Sequence, residues 1–215
     1  VRAKLRHSIG PFLWALCFQY FVAEAIAAHG FRGAYSLSSN YISDLGAQLC
    51  GAEVCSPLHR LMNASFILQG LLIFVGSLFV RRNFRRNFGT EAGFLLLAVS
   101  GLALAAVGVA TEDINPVVHY SGASAHFLCG GAGMMVLGTA LRRRPRTATI
   151  GNVSLLGGIL TLVASILCWR GVYFGLGVGG MERVAAYPYT VWLVGMGIGM
   201  LTARKRAVQS AAVTA

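Results

Sequence analysis

Acidic residues are scarce in this chain: seven Asp and Glu stand against eighteen Lys and Arg in 215 residues, for a formal net charge of +11. Charge of either sign is thin at 12% of residues, whereas 56% are apolar and the mean hydropathy is +0.66. That composition excludes an ordinary soluble domain, in which about 25% of residues are charged. A pI near 10.1 would ordinarily raise nucleic-acid binding. Here the basic residues flank apolar runs instead of covering one polar face, and membrane topology accounts for them, so no nucleic-acid partner is expected. Phosphate loops, dinucleotide fingerprints, haem motifs and GxSxG turns are all missing, and no cofactor is expected. No internal repeat relates residues 1–110 to 111–215, which removes the usual signature of a transporter built from paired halves. A cleavable signal pattern is also lacking, so the first apolar stretch is expected to stay in the mature protein.

What is present is a regular alternation of apolar runs and basic clusters. Fourteen of the eighteen Lys and Arg fall into four groups: Arg2, Lys4 and Arg6; Arg81, Arg82, Arg85 and Arg86; Arg142, Arg143, Arg144 and Arg146; Arg204, Lys205 and Arg206. Crossing about 30 Å of hydrocarbon takes roughly 20 helical residues. Six stretches qualify, near Ile9 to His29, Leu61 to Val80, Ala92 to Ala110, Val117 to Leu141, Ile150 to Trp169 and Val184 to Ala203. Their apolarity is continuous instead of alternating, and backbone groups in lipid must bond within their own segment, so helices are expected over barrel strands. The expected fold is all-α, one six-helix transmembrane domain over residues 1–215. Because basic residues near spans are retained on the cytoplasmic side, both termini are placed there, in a multi-pass protein of the cytoplasmic membrane. Inner loops then carry one acid, Glu91, and outer loops carry Asp44, Glu53, Glu112, Asp113 and Glu182.

The segment from Gly30 to Leu58 is the longest connection, an outer loop in which Cys50 and Cys55 form a candidate disulfide. Cys17, Cys129 and Cys168 fall within spans and read as packing residues. Pro11, Pro116 and Pro188 are expected at or near the first turns of spans one, four and six. Dense small residues, notably Gly130, Gly131, Gly133 and Gly138, and Gly195, Gly197 and Gly199, predict close helix approach in spans four to six. Trp14, Tyr20, Trp169, Tyr173, Tyr187 and Trp192 read as an interfacial aromatic belt. The glycine-rich run GVYFGLGVGGMER is expected as a re-entrant or interfacial segment.

Ionisable groups inside a span need a partner or a wet cavity, and several such groups share the outer half. Glu24 and Gln19 lie in span one, Asn63 opens span two, His119 and His126 lie in span four, and Glu182 and Arg183 open span six. Asn40 and Asp44 cap them from the loop. The seven-residue spacing of His119 and His126 places them on one helix face about 10 Å apart, too far for one zinc ion, so no metal site is expected. Ser36, Ser38, Ser39, Ser121 and Ser124 are candidate nucleophiles only by proximity to histidine. The expectation is a polar pocket lined by Asn40, Asp44, Asn63, His119, His126, Glu182 and Arg183. In it Arg183 and His119 engage an anionic lipid head group, while Asp44 and Asn63 orient the loop. The plainer alternative is a hydrogen-bonded plug that fixes helix register. A membrane-embedded hydrolase or transferase with His126 as general base and a small-solute transporter are the other readings.

The segments YSLSSNYISDLG, NASFILQGLL and GGMERVAAYPYTVW together resemble the membrane-protein family called domain of unknown function 998, with the run Asn40 to Gly46 followed by Pro57 and Asn63 as its most specific part. The resemblance implies six spans over nearly the whole chain and supplies no catalytic residues. A weaker similarity, through Ile42-Ser43-Asp44 and the second span, links it to the FRAG/DRAM/SFK group of eukaryotic six-helix membrane proteins. That likeness implies lipid handling and membrane lipids as partners.

Overall fold

The computed structural model describes residues 2–51 and 54–213, with side chains over 7–51, 54–206 and 209–210. Glu53 and the side chains of Arg2, Lys4 and Arg6 lie outside the described residues. Seven α-helices carry the fold: α1 (Arg2–Ala15), α2 (Gln19–His29), α3 (His59–Val80), α4 (Phe88–Val109), α5 (Pro116–Arg142), α6 (Ala148–Trp169) and α7 (Gly177–Val213). A 3-10 turn at Leu16–Phe18 joins α1 to α2, and Ala15 and Phe18 keep right-handed helical angles, so the pair forms one crossing. The protein therefore has six helices long and apolar enough to cross a membrane, and no strand among the described residues. It is an all-α, six-helix multi-pass membrane protein.

Each crossing packs on its neighbour in the chain, and α7 closes on α1, which makes a ring. Glycines set the closest approaches. A Cβ on Gly70 of α3 or on Gly101 of α4 would strike the other's carbonyl oxygen. Gly131 with Gly158 and Gly138 with Gly151 bring α5 against α6 in the same way. Gly197 packs on Pro11 and Ala15 of α1, but Gly195 and Gly199 meet nothing within 4 Å. Close packing thus extends to α3 and α4, outside the spans singled out by glycine density.

The successive crossings alternate in direction, which gathers the four basic clusters at one end, where His7 Nδ1 lies 2.7 Å from Asn83 Oδ1. Inside that half of the ring Trp14, Phe94, Leu97, Met134, Leu137 and Leu193 are buried completely or nearly so, with Trp14 5.4 Å from Trp192 between ring centroids. Trp14, Trp192 and Tyr20 are core residues rather than belt residues, because their side chains point into the ring; Trp169 alone of the tryptophans is substantially exposed, at 47%. The outer surface is apolar, with Phe12, Phe18, Leu95, Leu102, Leu156 and Val191 exposed, as hydrocarbon solvent requires.

Pro116 does open α5, where Asn115 accepts from Val118 N. Pro11 and Pro188 lie inside α1 and α7, because those helices begin earlier than their apolar runs; each proline removes one backbone donor from a ladder. Helix α7 starts at Gly177, so the glycine-rich run is a turn followed by the first turns of a crossing rather than a re-entrant segment.

Candidate functional site

The loop between α2 and α3 folds into the mouth of the ring at the end opposite the arginine clusters. Ile42 and Leu45 are almost wholly buried, and Cys50 and Cys55 are joined by a disulfide. Asn63 donates to Gly46 O at 2.8 Å and Ser56 Oγ donates to Leu45 O at 2.7 Å, which fixes the short 3-10 turn Ser43–Gly46. Asp44 accepts from Asn40 Nδ2 at 2.9 Å and from Tyr41 N at 3.0 Å. The backbone of Gln48 and Leu49 donates to the Asp113 carboxylate at 2.8 and 2.7 Å, which ties the loop to the α4–α5 connection. Burial opposes ionisation of Asp113, but these donors and Thr111 outweigh it and hold the carboxyl below its ordinary value.

Arg183 locks this cap to α7 and α2. Its Nε and Nη2 reach Glu24 Oε1 at 3.1 and 3.0 Å, Nη1 faces the carbonyls of Leu37, Asn40 and Gly179 at 3.0 Å, and Nη2 also meets Tyr35 Oη. Tyr187 donates to the same Glu24 oxygen at 2.8 Å. A guanidinium has five N–H groups, and protein acceptors occupy this one from every side. Every donor of Arg183 thus has a protein acceptor, whereas an anionic head group had been the expected partner. The glycine-rich start of α7 serves the same lock: Gly179 N donates to Ser38 O at 2.9 Å, and a Cβ there would strike Asn40 O.

Beside the lock lies a cavity of about 350 Å³ between α5, α6, α7 and the cap, within the range of small-molecule sites. Tyr41, Tyr120, Phe127, Trp169 and Tyr173 form its walls, and Ser43, His119 and Glu182 line it as polar groups. Those three residues, with Ala123 and Phe127, also line a deeper chamber of about 40 Å³ that reaches Gln69, His126 and Thr190. That volume admits only a few water-sized groups. Glu182 accepts from Ile42 N at 2.6 Å through one oxygen. Glu112, against Ser43 and Asp44, is pushed up to about 8 by burial, to which the Asp44 charge adds and which the Ser43 hydroxyl opposes.

The two histidines are held apart by α4. His119 Nδ1 lies 2.8 Å from Ala110 O and His126 Nδ1 lies 3.1 Å from Ser100 O. A carbonyl only accepts, so Nδ1 carries a proton in both. Ser100 Oγ adds a contact to His126 at 3.0 Å and donates to Tyr189 Oη at 3.2 Å. Gln69 accepts from Gln19 Nε2 at 3.2 Å, but its own buried amide nitrogen has no protein partner. Among the described residues no three His, Cys, Asp or Glu side chains converge on a metal position.

Of the seven expected site residues, His119, His126 and Glu182 line the cavities, whereas Asn40, Asp44, Asn63 and Arg183 brace the cap around them. Ser43 and Gln69 also line the cavities and were not singled out from the sequence. Only Gln69 carried a signal, as the one amide in the apolar run FILQGLL. The family model described as a protein of unknown function, DUF998, matches residues 9–199. The chain belongs to the DUF998 family. The DUF998 region takes in all six crossings, the cap and both cavities. No curated protein and no solved structure matches the chain.

Proposed function

We propose that this DUF998 protein binds an amphiphile. The polar head enters the chamber under the cap, and the chain lies along the aromatic wall between α5 and α6. One observation carries the reading: an aromatic cavity opens into a polar chamber in which the Gln69 amide, 1% exposed, lacks a partner. A buried donor left unpaired is costly, at about 1–3 kcal/mol, and an occupant of that chamber removes the cost. Helices α5 and α6 meet at glycines in their basic-end halves, which leaves the opposite halves room to diverge around a lipid chain. The wall residues Tyr120 and Trp169 are about half exposed on the ring's outer surface, where a bilayer lipid has direct access.

The capped end faces outward across the cytoplasmic membrane in this proposal. Basic residues gathered at the other end support that orientation, and so does the Cys50–Cys55 disulfide, since disulfides persist in oxidising compartments. Ala123 borders both cavities, so Ala123→Trp fills them. Mass spectrometry of the purified protein should show a co-purifying amphiphile that this variant loses while its size-exclusion profile stays that of the wild type. An unchanged lipid complement in the variant would refute the reading.

A further inference from the structure

We infer that the protein holds an anionic phospholipid at a second site, with the phosphate head among three arginines at the basic end and the chains along α4. This site lies at the end opposite the cap and stands independently of the amphiphile reading.

Two adjoining cavities form where the start of α4 meets the end of α5. The larger, of about 550 Å³, is lined by Asn87, Phe88, Thr139, Arg143 and Arg144, within the range of small-molecule sites. The smaller, of about 180 Å³, shares Asn87 and Arg144 and adds Arg85. No acidic residue lines either one. Glu91, the one acid at this end of the chain's crossings, is already taken by Arg81 at 3.2 Å and Arg86 at 3.1 Å. Among the described residues Arg85, Arg143 and Arg144 have no carboxylate partner. The other polar side chains are engaged: Thr139 Oγ1 donates to Val136 O at 2.8 Å, and Asn87 Oδ1 accepts from Thr90 N at 3.0 Å as the cap of α4. Three like charges lining one hollow favour an anion between them. A guanidinium presents paired N–H groups that match phosphate oxygens two at a time, so the anion that fits is a phosphate ester.

The wall of the larger cavity continues into the bilayer. Phe88 lines that cavity and is 91% exposed, and Leu95 and Leu102, also exposed, follow it at seven-residue spacing. Seven residues make nearly two helical turns, so these side chains form one apolar strip that runs from the arginines along the outside of α4. A phosphate pocket at the end of a crossing, continued by an apolar strip, matches a membrane lipid, and basic pockets between crossings bind anionic head groups. A soluble phosphate would account for the arginines and not for Phe88.

The test titrates full-length protein in a neutral maltoside detergent with phosphatidylglycerol and with phosphatidylcholine of the same chains, read by native mass spectrometry. Phosphatidylglycerol should bind at least about ten-fold more tightly, the factor one charge-assisted contact provides. The pair Arg143→Gln, Arg144→Gln should remove that preference, with Arg142 and Arg146 left to hold the topology. The pair Arg204→Gln, Arg206→Gln takes the same charge from residues that line neither cavity and should keep it. Equal binding of the two lipids, or equal loss in the two paired variants, would overturn the site and leave only an attraction to overall charge. Glycerol phosphate, the head without its chains, should leave the bound lipid in place. Displacement by glycerol phosphate at equal concentration would make the ligand a soluble phosphate and overturn the lipid assignment.

Discussion

Arg183 and Glu24 sit 159 residues apart in sequence, and each is less than 10% exposed where a bare charge could not stay. Removing one member of a buried pair typically costs about 3–5 kcal/mol, because the partner is left uncompensated. Arg183→Met should therefore melt well below the wild type in detergent, and the double variant Glu24→Gln, Arg183→Met should recover part of the loss. A single variant as stable as the wild type would mean that the cap is held by its other bonds. Glu112 makes a different prediction at the same scale. Ser43, Asp44, Glu182 and Tyr120 surround it, and burial pushes its folded value up to about 8 from the ordinary 4.5. Between those values the folded state holds more protons than the unfolded chain, so stability is highest below about 4.5 and falls as pH rises toward about 8. Melting temperatures between pH 5 and 8.5 should show this decline, and Glu112→Gln should flatten it.

Helices α3 and α4 cross where Gly70 and Gly101 leave no room for a side chain, and Gly108 repeats the contact nearer the cap, against Asn63 and Ile67. Overpacking a tight contact costs about 1–3 kcal/mol or more. Gly70→Leu should lower the melting temperature and folded yield, whereas Gly195→Leu on α7, with nothing within 4 Å, should leave both near the wild type. Size-exclusion profiles and melts of the two variants provide the comparison. The contrast also shows what sequence makes legible at this scale. Hydropathy and length locate a crossing, because lipid selects for both, but which face of a glycine-rich helix meets its neighbour depends on rotation about the helix axis. Gly70 and Gly195 look alike in sequence for that reason. Pro11 and Pro188 were misread for a related one: helix continues past the apolar run into polar residues, so the run's edge is not the helix's first turn. The aromatic residues follow the same logic, since Trp14 and Trp169 differ in direction rather than in chemistry.

At the scale of the whole molecule the ring is a cup. The cap and its cavities occupy one end, and Trp14, Phe94, Leu97, Met134 and Leu193 fill the other. In that half the buried Ser77 hydroxyl bonds its own helix at Ile73 O, and Trp192 Nε1 donates to Ser154 Oγ at 2.9 Å. The number of crossings and the clustering of acids at one end were readable from the chain, because both follow from its charge pattern. The division of the polar residues into brace and lining was not, because it depends on which acceptor each donor finds in space. Arg183 is the sharpest case, expected to bind a ligand and found bound to the protein. Function then depends on which way the cup faces. Single cysteines at Ser39, exposed on the cap, and at Arg144, exposed at the basic end, in a background where Cys17, Cys129 and Cys168 are alanine, measure it directly. A membrane-impermeant thiol reagent applied to intact cells should label Ser39→Cys and spare Arg144→Cys until the cells are opened. The reverse pattern would place the cavity toward the cytoplasm, where a ligand would have to come from the inner leaflet and the disulfide would meet reducing conditions.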